Sequence, residues 1–174
     1  MDLLTHLFLP VTVAYVLRPD LFRSPWYLTA GVVAIFPDVD KLLGVQGALH
    51  SVVTLGVIAF VFVALERHFR NEMVYAGLLS ALLFSHLLLD FLDGGPVTVF
   101  YPFIETGVGL QYPTQLALDE TLGVPSITQP VPELRVGTPS RSRSTYPLVT
   151  GYGVLSALTF GVIYLTQTLR SHRS

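Results

Sequence analysis

The chain has 174 residues, of which 51% are hydrophobic and 13% charged, with a mean hydropathy of +0.59 and a formal net charge of −2. Soluble domains carry roughly 25% charged residues, so this composition indicates a membrane protein of one domain. The small net charge gives no reason to expect a nucleic-acid partner. The absence of cysteine excludes disulfides, thiol catalysis and cysteine-ligated zinc.

Five apolar segments follow one another along the chain. The first lacks the basic start and the small-residue cleavage site of a signal peptide, so we expect it to be retained. A bilayer core requires about 20 helical residues. The third, fourth and fifth segments meet this requirement, the first is marginal, and the second is too short for a full α-helical span. The segments are 3–17, 26–36, 49–65, 74–92 and 148–166.

A long linker, 94–147, separates the fourth and fifth segments and is rich in Pro, Gly, Ser and Thr. Near its start, "VTVFYPF" predicts a short strand, and "GTPSRSRSTYP" is typical of a flexible chain. The predicted fold class is therefore all-α. We expect a single membrane domain, an integral membrane bundle of four to five transmembrane helices with a long loop over one end.

Polar residues with ligand chemistry recur at the ends of these apolar segments. If consecutive segments alternate in direction, the starts of the first and third lie beside the ends of the second and fourth. This alternation requires the short second segment to cross, or nearly cross, the membrane. The residues brought to one end are His6, Asp38, Asp40, His50, His86, Asp90 and Asp93.

The stretch "FSHLLLDFLD" shows why these residues need partners. A charge in such apolar surroundings costs several kcal/mol unless it is paired or ligated. His86 and Asp90 are four residues apart and share a helix face, and Asp93 follows one turn later. Three imidazoles and three or four carboxylates suit a divalent ion such as Zn, Mn, Fe or Mg. Six ligands exceed what one zinc takes and fit two ions about 3.5–4 Å apart.

Structural roles explain each of these residues singly. His6 can hydrogen-bond a neighbouring helix, Asp38 can cap a helix, and Asp90 can pair with His86. Their occurrence together at one end of a bundle favours a metal site. Two other histidines are predicted to be solvated, His68 in the charged turn "ERHFRN" and His172 in the tail.

Four short motifs resemble, in the same order, those of the small membrane-bound metal-dependent hydrolases of the YdjM-like, LexA-regulated type. They are "MDLLTH", "FPDVD", "HS" and "SHLLLDFLDGG…YPF", all within 1–103. The resemblance implies a multi-helix membrane protein with a His/Asp metal site and hydrolase activity. The metal ligands that it implies are His6, Asp38, Asp40, His50, His86 and Asp90.

The third motif departs from the family pattern, which usually reads His-Arg-Gly-x-Thr-His-Ser. In "VQGALHS", Val45, Gln46 and Leu49 stand in place of the first His, the Arg and the Thr. A ligand or phosphate contact supplied by that His or Arg would therefore be missing from this chain.

Two functions from different classes follow. The first is a metal-dependent hydrolase that uses one or two divalent ions, of which Zn or Mn is expected. The metal activates a water molecule, and Asp40 or Asp93 takes the proton. Phosphoester or lipid-type substrates suit such a site, with Tyr101 and Phe103 lining its opening. The alternative is a non-catalytic metal-binding or ion-transporting protein, whose site would lie near the bilayer midplane.

The distribution of basic residues indicates the orientation. Six lie at the end opposite the cluster, and four lie at the cluster end over a longer stretch. The positive-inside rule then puts the cluster on the extracytoplasmic side of the cell membrane and the C-terminus inside. The expected partners are the lipid bilayer and a small-molecule or lipid substrate. The basic residues are Arg18, Arg23, Arg67, Arg70, Arg170 and Arg173 at one end, and Lys41, Arg135, Arg141 and Arg143 at the other.

Overall fold

The computed structural model describes residues 2–22, 24–45, 47–71, 73–93, 95–111, 115–117, 126–128, 133–138 and 147–171. Apart from short strands in the linker it is helical, which confirms the predicted fold class. The α-helices are α1 Leu3–Leu17, α2 Val39–Leu43, α3 Val52–Arg70, α4 Val74–Leu92 and α5 Gly151–Ser171. A 3₁₀ turn covers Pro19–Phe22 and a 3₁₀ helix covers Pro25–Asp38.

Three helices in the described part of the chain are long and apolar enough to cross a membrane, namely α3, α4 and the Gly151–Leu169 part of α5. The shorter α1 is apolar throughout. Helix α4 packs against α1, α3 and the 3₁₀ helix, and α5 packs against α1. Large apolar side chains such as Phe60 and Leu158 remain exposed, as expected where a bundle faces lipid.

Helix α3 begins and ends later than its apolar run. The Ser51 hydroxyl caps it by accepting the backbone N–H of Val53 at 3.2 Å. The helix then continues through the charged stretch to Arg70, because Glu and Arg are good helix formers and cations suit a helix C-terminus. Asn71, with a φ of 56°, ends it in the left-handed region.

The 3₁₀ helix explains how the short second segment extends along the bundle. A 3₁₀ helix rises about 2.0 Å per residue, so the 14 residues of Pro25–Asp38 cover about 28 Å. The 19 residues of α3, at about 1.5 Å each, also cover about 28 Å. The tighter winding therefore gives a shorter sequence the same length as a full span.

Burial along the 3₁₀ helix follows its three-residue repeat. Gly31, Ala34 and Pro37 are buried, and the residues between them are half-buried or exposed. Side chains three apart eclipse in a 3₁₀ helix, so these small residues form one row that faces the bundle. A Cβ added at Gly31 would lie 2.5 Å from Cγ2 of Val11 on α1. Small residues in this row therefore permit close packing.

Successive elements alternate in direction. Near the end of α3, the Glu66 carboxylate accepts the backbone N–H groups of Tyr75 (3.1 Å) and Ala76 (2.5 Å) at the start of α4. Tyr15, near the end of α1, packs at 5.8 Å between ring centroids against Tyr164 of α5. The alternation on which the predicted convergence depends is therefore present.

One carboxylate, that of Asp2, caps two helices at the end of the bundle where α1 and α5 begin. Asp2 is fully buried, and its Oδ1 accepts the backbone N–H of Thr5 at 2.7 Å. Its Oδ2 accepts the Thr150 hydroxyl and the Gly153 N–H, the latter at 3.2 Å. The N-termini of α1 and α5 are thereby held together.

The linker forms a β-ribbon where the sequence predicts a loop. Strand β1 (Gly107–Gln111) pairs antiparallel with β4 (Glu133–Gly137), and β2 (Gln115–Ala117) pairs with β3 (Ser126–Thr128) inside that pair. The strand predicted at "VTVFYPF" is reduced to one bridge between Val97 and Val108. Most of "GTPSRSRSTYP" lies outside the described residues.

Candidate metal centre

Four side chains from three parts of the chain meet at one end of the bundle. Asp38 ends the 3₁₀ helix, His50 lies two residues before α3, and His86 and Asp90 lie in the last turns of α4. One ligand atom from each of the four lies within 4.8 Å of the others. All four were predicted to converge from the alternation of the segments.

A tight turn built on Asp40 positions His50. Helix α2 ends at Gly44, with a φ of 71°, and Gly47 has a φ of 93°, so both adopt a conformation that favours glycine. The Asp40 Oδ2 atom accepts the backbone N–H groups of Gly47 at 3.0 Å and Leu49 at 3.1 Å. The same oxygen lies 2.9 Å from Nδ1 of His50. Asp40 therefore folds the segment back and fixes the imidazole.

Three histidines present Nε2 toward the carboxylates. In each ring Nδ1 faces an oxygen that can only accept, so Nδ1 carries the proton and a neutral ring has an unprotonated Nε2. Histidines that bind metals are oriented in this way. The acceptors are the Asp2 carbonyl for His6 (2.9 Å), the Asp40 carboxylate for His50 (2.9 Å) and the Ala34 carbonyl for His86 (2.8 Å).

Five of the six distances within the four-residue group are close to the edge of a metal coordination tetrahedron, and the sixth, between the Asp38 and Asp90 oxygens, is within 4.8 Å. From His50 Nε2, His86 Nε2 lies at 3.2 Å, Asp38 Oδ1 at 3.6 Å and Asp90 Oδ2 at 3.1 Å. From His86 Nε2, the same two oxygens lie at 3.5 Å and 3.4 Å. Nitrogen and oxygen ligands at about 2.0–2.1 Å from a tetrahedral zinc would be about 3.3–3.4 Å apart. The donor set and its spacing therefore fit a divalent ion.

His6 and Asp40 lie beside this group. The Nε2 atom of His6 is 3.0 Å from Oδ1 of Asp90, the carboxylate oxygen not used in the distances above. Asp40 contacts His50 through Oδ2, and its Oδ1 is buried without a hydrogen-bond partner among the described residues. The His6 ring also packs against the His86 ring, with centroids 4.3 Å apart. The ligand role expected for His6 and Asp40 stays a prediction.

Asp93 and the loop that carries Tyr101 and Phe103 lie at the same end of the bundle as the four-residue group. Asp93 follows α4, is exposed, and donates its backbone N–H to the Leu89 carbonyl at 2.9 Å. The Ser51 hydroxyl, next to His50, donates to the Tyr101 carbonyl at 2.8 Å. Phe103, two residues further on, is 80% exposed. The Ser51 hydrogen bond thus holds this loop beside the cluster, and the apolar side chain of Phe103 is exposed.

Lys41 is a neighbour of the cluster that sequence reasoning missed. Its Nζ lies 2.5 Å from Asp38 Oδ1 and 3.9 Å from Asp90 Oδ2. From the sequence it is expected only as one of the basic residues that set the orientation. Its spacing of three residues from Asp38 in "FPDVDK" is the signal that could have identified it, because residues i and i+3 are neighbours on a helical turn.

The carboxylates make the site strongly attractive to positive charge. Burial lowers the pKa of His50, but hydrogen bonds with Asp38, Asp40 and Asp90 outweigh it and raise the pKa to about 10. A proton on His50 is thus one means of balancing these carboxylates. A divalent ion held by the same atoms is another, in addition to the Lys41 ammonium beside Asp38.

An all-α membrane bundle with a buried group of two histidines and two aspartates at one end defines an integral membrane protein with a candidate divalent-metal centre. The chain belongs to the YdjM inner membrane protein family, whose model matches residues 1–169. The family resemblance of the motifs in 1–103 is thereby confirmed, and the match extends through the linker and most of α5. No curated protein and no solved structure matches the chain.

Proposed function

We propose that this protein is a membrane-embedded, metal-dependent hydrolase that acts on phosphoester or lipid-type substrates at the extracytoplasmic face. The observation that carries the proposal is the convergence of two histidine Nε2 atoms and two carboxylates, with nitrogen–nitrogen and nitrogen–oxygen distances of 3.1–3.6 Å. Imidazole nitrogens and carboxylate oxygens are ligands that divalent ions such as zinc and manganese take in proteins, and an ion held by these atoms would balance the two negative charges.

The depth of the group supports a hydrolase over a transporter. His50 precedes the first residue of α3, Val52, and Asp90 lies two residues before the end of α4 at Leu92. The group is therefore at a rim of the bundle, where a substrate can reach it from the interface. A transporter needs its site near the midplane, open to each side in turn.

The residues divide into those that would hold the ion and those that hold the ligands. When bound, a divalent ion lowers the pKa of a coordinated water and polarises the scissile bond. The ligand atoms of the four-residue group would hold it. His6, at 3.0 Å, would orient the Asp90 carboxylate, and Asp40 would orient His50. We expect zinc or manganese, either as one ion held by this group or as two ions, for which His6 and Asp40 would supply further ligand atoms.

Of the two candidate bases, Asp93 is the better placed to move a proton. Asp40 is buried, and one of its oxygens faces three N–H groups, which suits a positioning role. Asp93 is exposed and lies three residues beyond Asp90, about one helical turn away. In this proposal Asp93 takes the proton of the attacking water and Asp40 keeps His50 in place.

Elemental analysis of protein purified in mild detergent tests the proposal, combined with a screen of phosphate monoesters, phosphate diesters and phospholipids. We expect metal in the wild type and its loss from the triple variant His6→Ala/His50→Ala/His86→Ala. His68→Ala is the matched control, because His68 is exposed at the far end of α3. Equal sub-stoichiometric metal in the wild type and the triple variant after dialysis would exclude the site.

A non-catalytic metal-binding or ion-transporting role is the second candidate. The departure at the third motif favours it, because exposed Val45 stands where the family pattern has a histidine. Reconstitution into vesicles distinguishes the two candidates. Uptake of zinc or manganese without hydrolysis of any substrate in the screen would support this second role.

A further inference from the structure

We propose that Lys41 binds the anionic group of the substrate, which makes the substrate a phosphate-bearing amphiphile. The inference rests on the proposed function, because it assigns a substrate class to the same site. It concerns a residue that neither the motifs nor the four-residue group includes.

The position of Lys41 puts its ammonium at the mouth of the cluster. Its side chain is 33% exposed, whereas those of its partners Asp38 and Asp90 are 11% and 16% exposed. Lys41 contacts both carboxylates and still reaches solvent. An anion that approaches the cluster from solvent therefore meets this ammonium.

The balance of charge explains why Lys41 would turn to an anion. Two neutral histidines, two carboxylates and one divalent ion sum to zero. Of the neighbouring carboxylates, Asp40 is buried and faces His50 and two backbone N–H groups, whereas Asp93 is exposed about one helical turn beyond Asp90. A divalent ion held by Asp38 and Asp90 would compete with Lys41 for the same oxygens. An anion that approaches this charge-balanced group from solvent would then lie beside the Lys41 ammonium, and lysine is a common phosphate-binding residue in proteins.

The loop beside the cluster supplies an apolar surface for the rest of the substrate. Phe100, Phe103 and Ile104 are 54%, 80% and 50% exposed. Ser51, the residue after His50, holds this loop beside the cluster, because its hydroxyl donates to the carbonyls of Val99 and Tyr101. A positive charge and an apolar loop at one membrane rim suit a molecule with a phosphate head and an apolar tail. A free phosphate compound would use the positive charge alone.

Ligand binding to the metal-loaded protein tests the inference, with metal content measured for every variant. The probes are inorganic phosphate, a short-chain phosphatidate and the diacylglycerol with the same chains. Their binding is measured by calorimetry and by the shift in Tm. We expect Lys41→Ala to keep its metal and to bind phosphate about tenfold more weakly or worse. Lys41→Arg, which keeps the charge, should retain most of the binding. Arg18→Ala removes an equal charge at the other end of the bundle, where Arg18 pairs with Asp20, and should bind as the wild type does.

The outcomes separate the source of the anion and the two proposals. Tighter binding of phosphatidate than of phosphate, with no binding of the diacylglycerol, supports the amphiphile. Equal affinities would overturn the amphiphile and leave a free phosphate compound. Unchanged phosphate affinity in Lys41→Ala, or loss of its metal, would overturn the role of Lys41. If the wild type hydrolyses a substrate but phosphate binding does not depend on Lys41, this inference alone is refuted. If phosphate binding depends on Lys41 but the wild type hydrolyses none of the substrates, the proposed enzyme is refuted.

Discussion

The Nε2 atoms of His50 and His86 lie 3.2 Å apart, although Nδ1 of each ring faces an oxygen acceptor elsewhere. In neutral rings the two lone pairs would face each other at this distance. A proton or a metal ion between them removes the repulsion. Asp38 and Asp90, within 3.6 Å of these nitrogens, add negative charge on the same side. The folded chain is thus arranged around a positive charge.

Removal of one imidazole should release the metal. His86→Ala leaves three of the four ligands, so metal affinity should fall by more than the roughly 10–100-fold that changes around a ligand cost. Asp90→Asn keeps the shape of the side chain but loses the anionic ligand, and should also bind metal poorly. Metal titration and Tm with and without zinc or manganese measure both effects. If added metal stabilises the wild type and both variants equally, His86 and Asp90 are only a structural pair.

Replacement of Asp40 should weaken metal binding without abolishing it. The Asp40 carboxylate holds the His50 ring and two backbone N–H groups, so Asp40→Ala should lower metal affinity by about 10–100-fold. Asp40→Asn keeps an oxygen acceptor and should lose less. Both variants should retain measurable hydrolysis. A loss of metal as complete as in His86→Ala would instead identify Asp40 as a ligand.

The metal-free and metal-loaded proteins should respond to pH in opposite ways. The pKa of His50 is raised from 6.5 to about 10, so the stabilisation from its proton is full below pH 6.5 and is lost as pH rises through about 10. Metal must displace this proton, so its apparent affinity should rise about tenfold per pH unit below that pKa. Tm measured from pH 6.5 to 10, with and without zinc or manganese, checks both slopes. A metal affinity independent of pH would contradict the assignment of His50 as a ligand.

The convergence of the site could be predicted from the sequence because it depends only on alternating apolar segments. His50 and His86 are 36 residues apart, yet each lies at a segment end that alternation brings to the same rim. The division of roles could not be predicted. That His6 contacts Asp90, and Asp40 contacts His50, depends on side-chain geometry that spacing does not encode.

Two parts of the fold differ from the sequence prediction for physical reasons. An apolar run of 11–14 residues is compatible with α or 3₁₀ winding, and close packing of Gly31 against Val11 favours the tighter form. The spacing of Gly31, Ala34 and Pro37 was a visible sign of a three-residue repeat. The β-ribbon of the linker joins residues far apart, such as Gly107 and Gly137, which local patterns rarely reveal.

Loss of the shared helix cap should destabilise the bundle. Asp2→Ala removes the acceptor at the N-termini of α1 and α5, and each cap is worth about 1 kcal/mol. Burial raises the pKa of Asp2, but hydrogen bonds from Thr150 and Thr5 lower it to about 2. Its contribution to stability is therefore present above pH 3.8 and is lost as pH falls through about 2. Thermal unfolding measures both effects.

The matched control for this cap is Asp20→Ala, which removes an exposed ion pair with Arg18 and should leave stability almost unchanged. Asp2→Asn retains an oxygen acceptor and should lie between the wild type and Asp2→Ala. Equal stability of the Asp2→Ala and Asp20→Ala variants would show that the cap does not hold α1 and α5 together.

The orientation is tested by a reporter enzyme that is active only outside the cytoplasm. Fused after Ser174 it should be inactive, because the six arginines at that end should stay inside. Fused after Gly137, in the linker at the cluster end, it should be active. The reverse pattern would put the metal centre on the cytoplasmic face.

The 3₁₀ winding of Pro25–Asp38 sets how far Asp38 reaches toward the other residues of the candidate metal centre. Rewound as an α-helix, the 14 residues of Pro25–Asp38 would shorten from about 28 Å to about 21 Å. Asp38 would then lie about 7 Å further from His50 and His86, and the four-residue group would lose one of its candidate ligands. A thin bilayer, which favours shorter spans, would therefore oppose assembly of the site. One residue inserted in this helix would turn Asp38 by about 120° with the same result. The pitch of a single helix thus decides whether Asp38 stands within reach of His50 and His86.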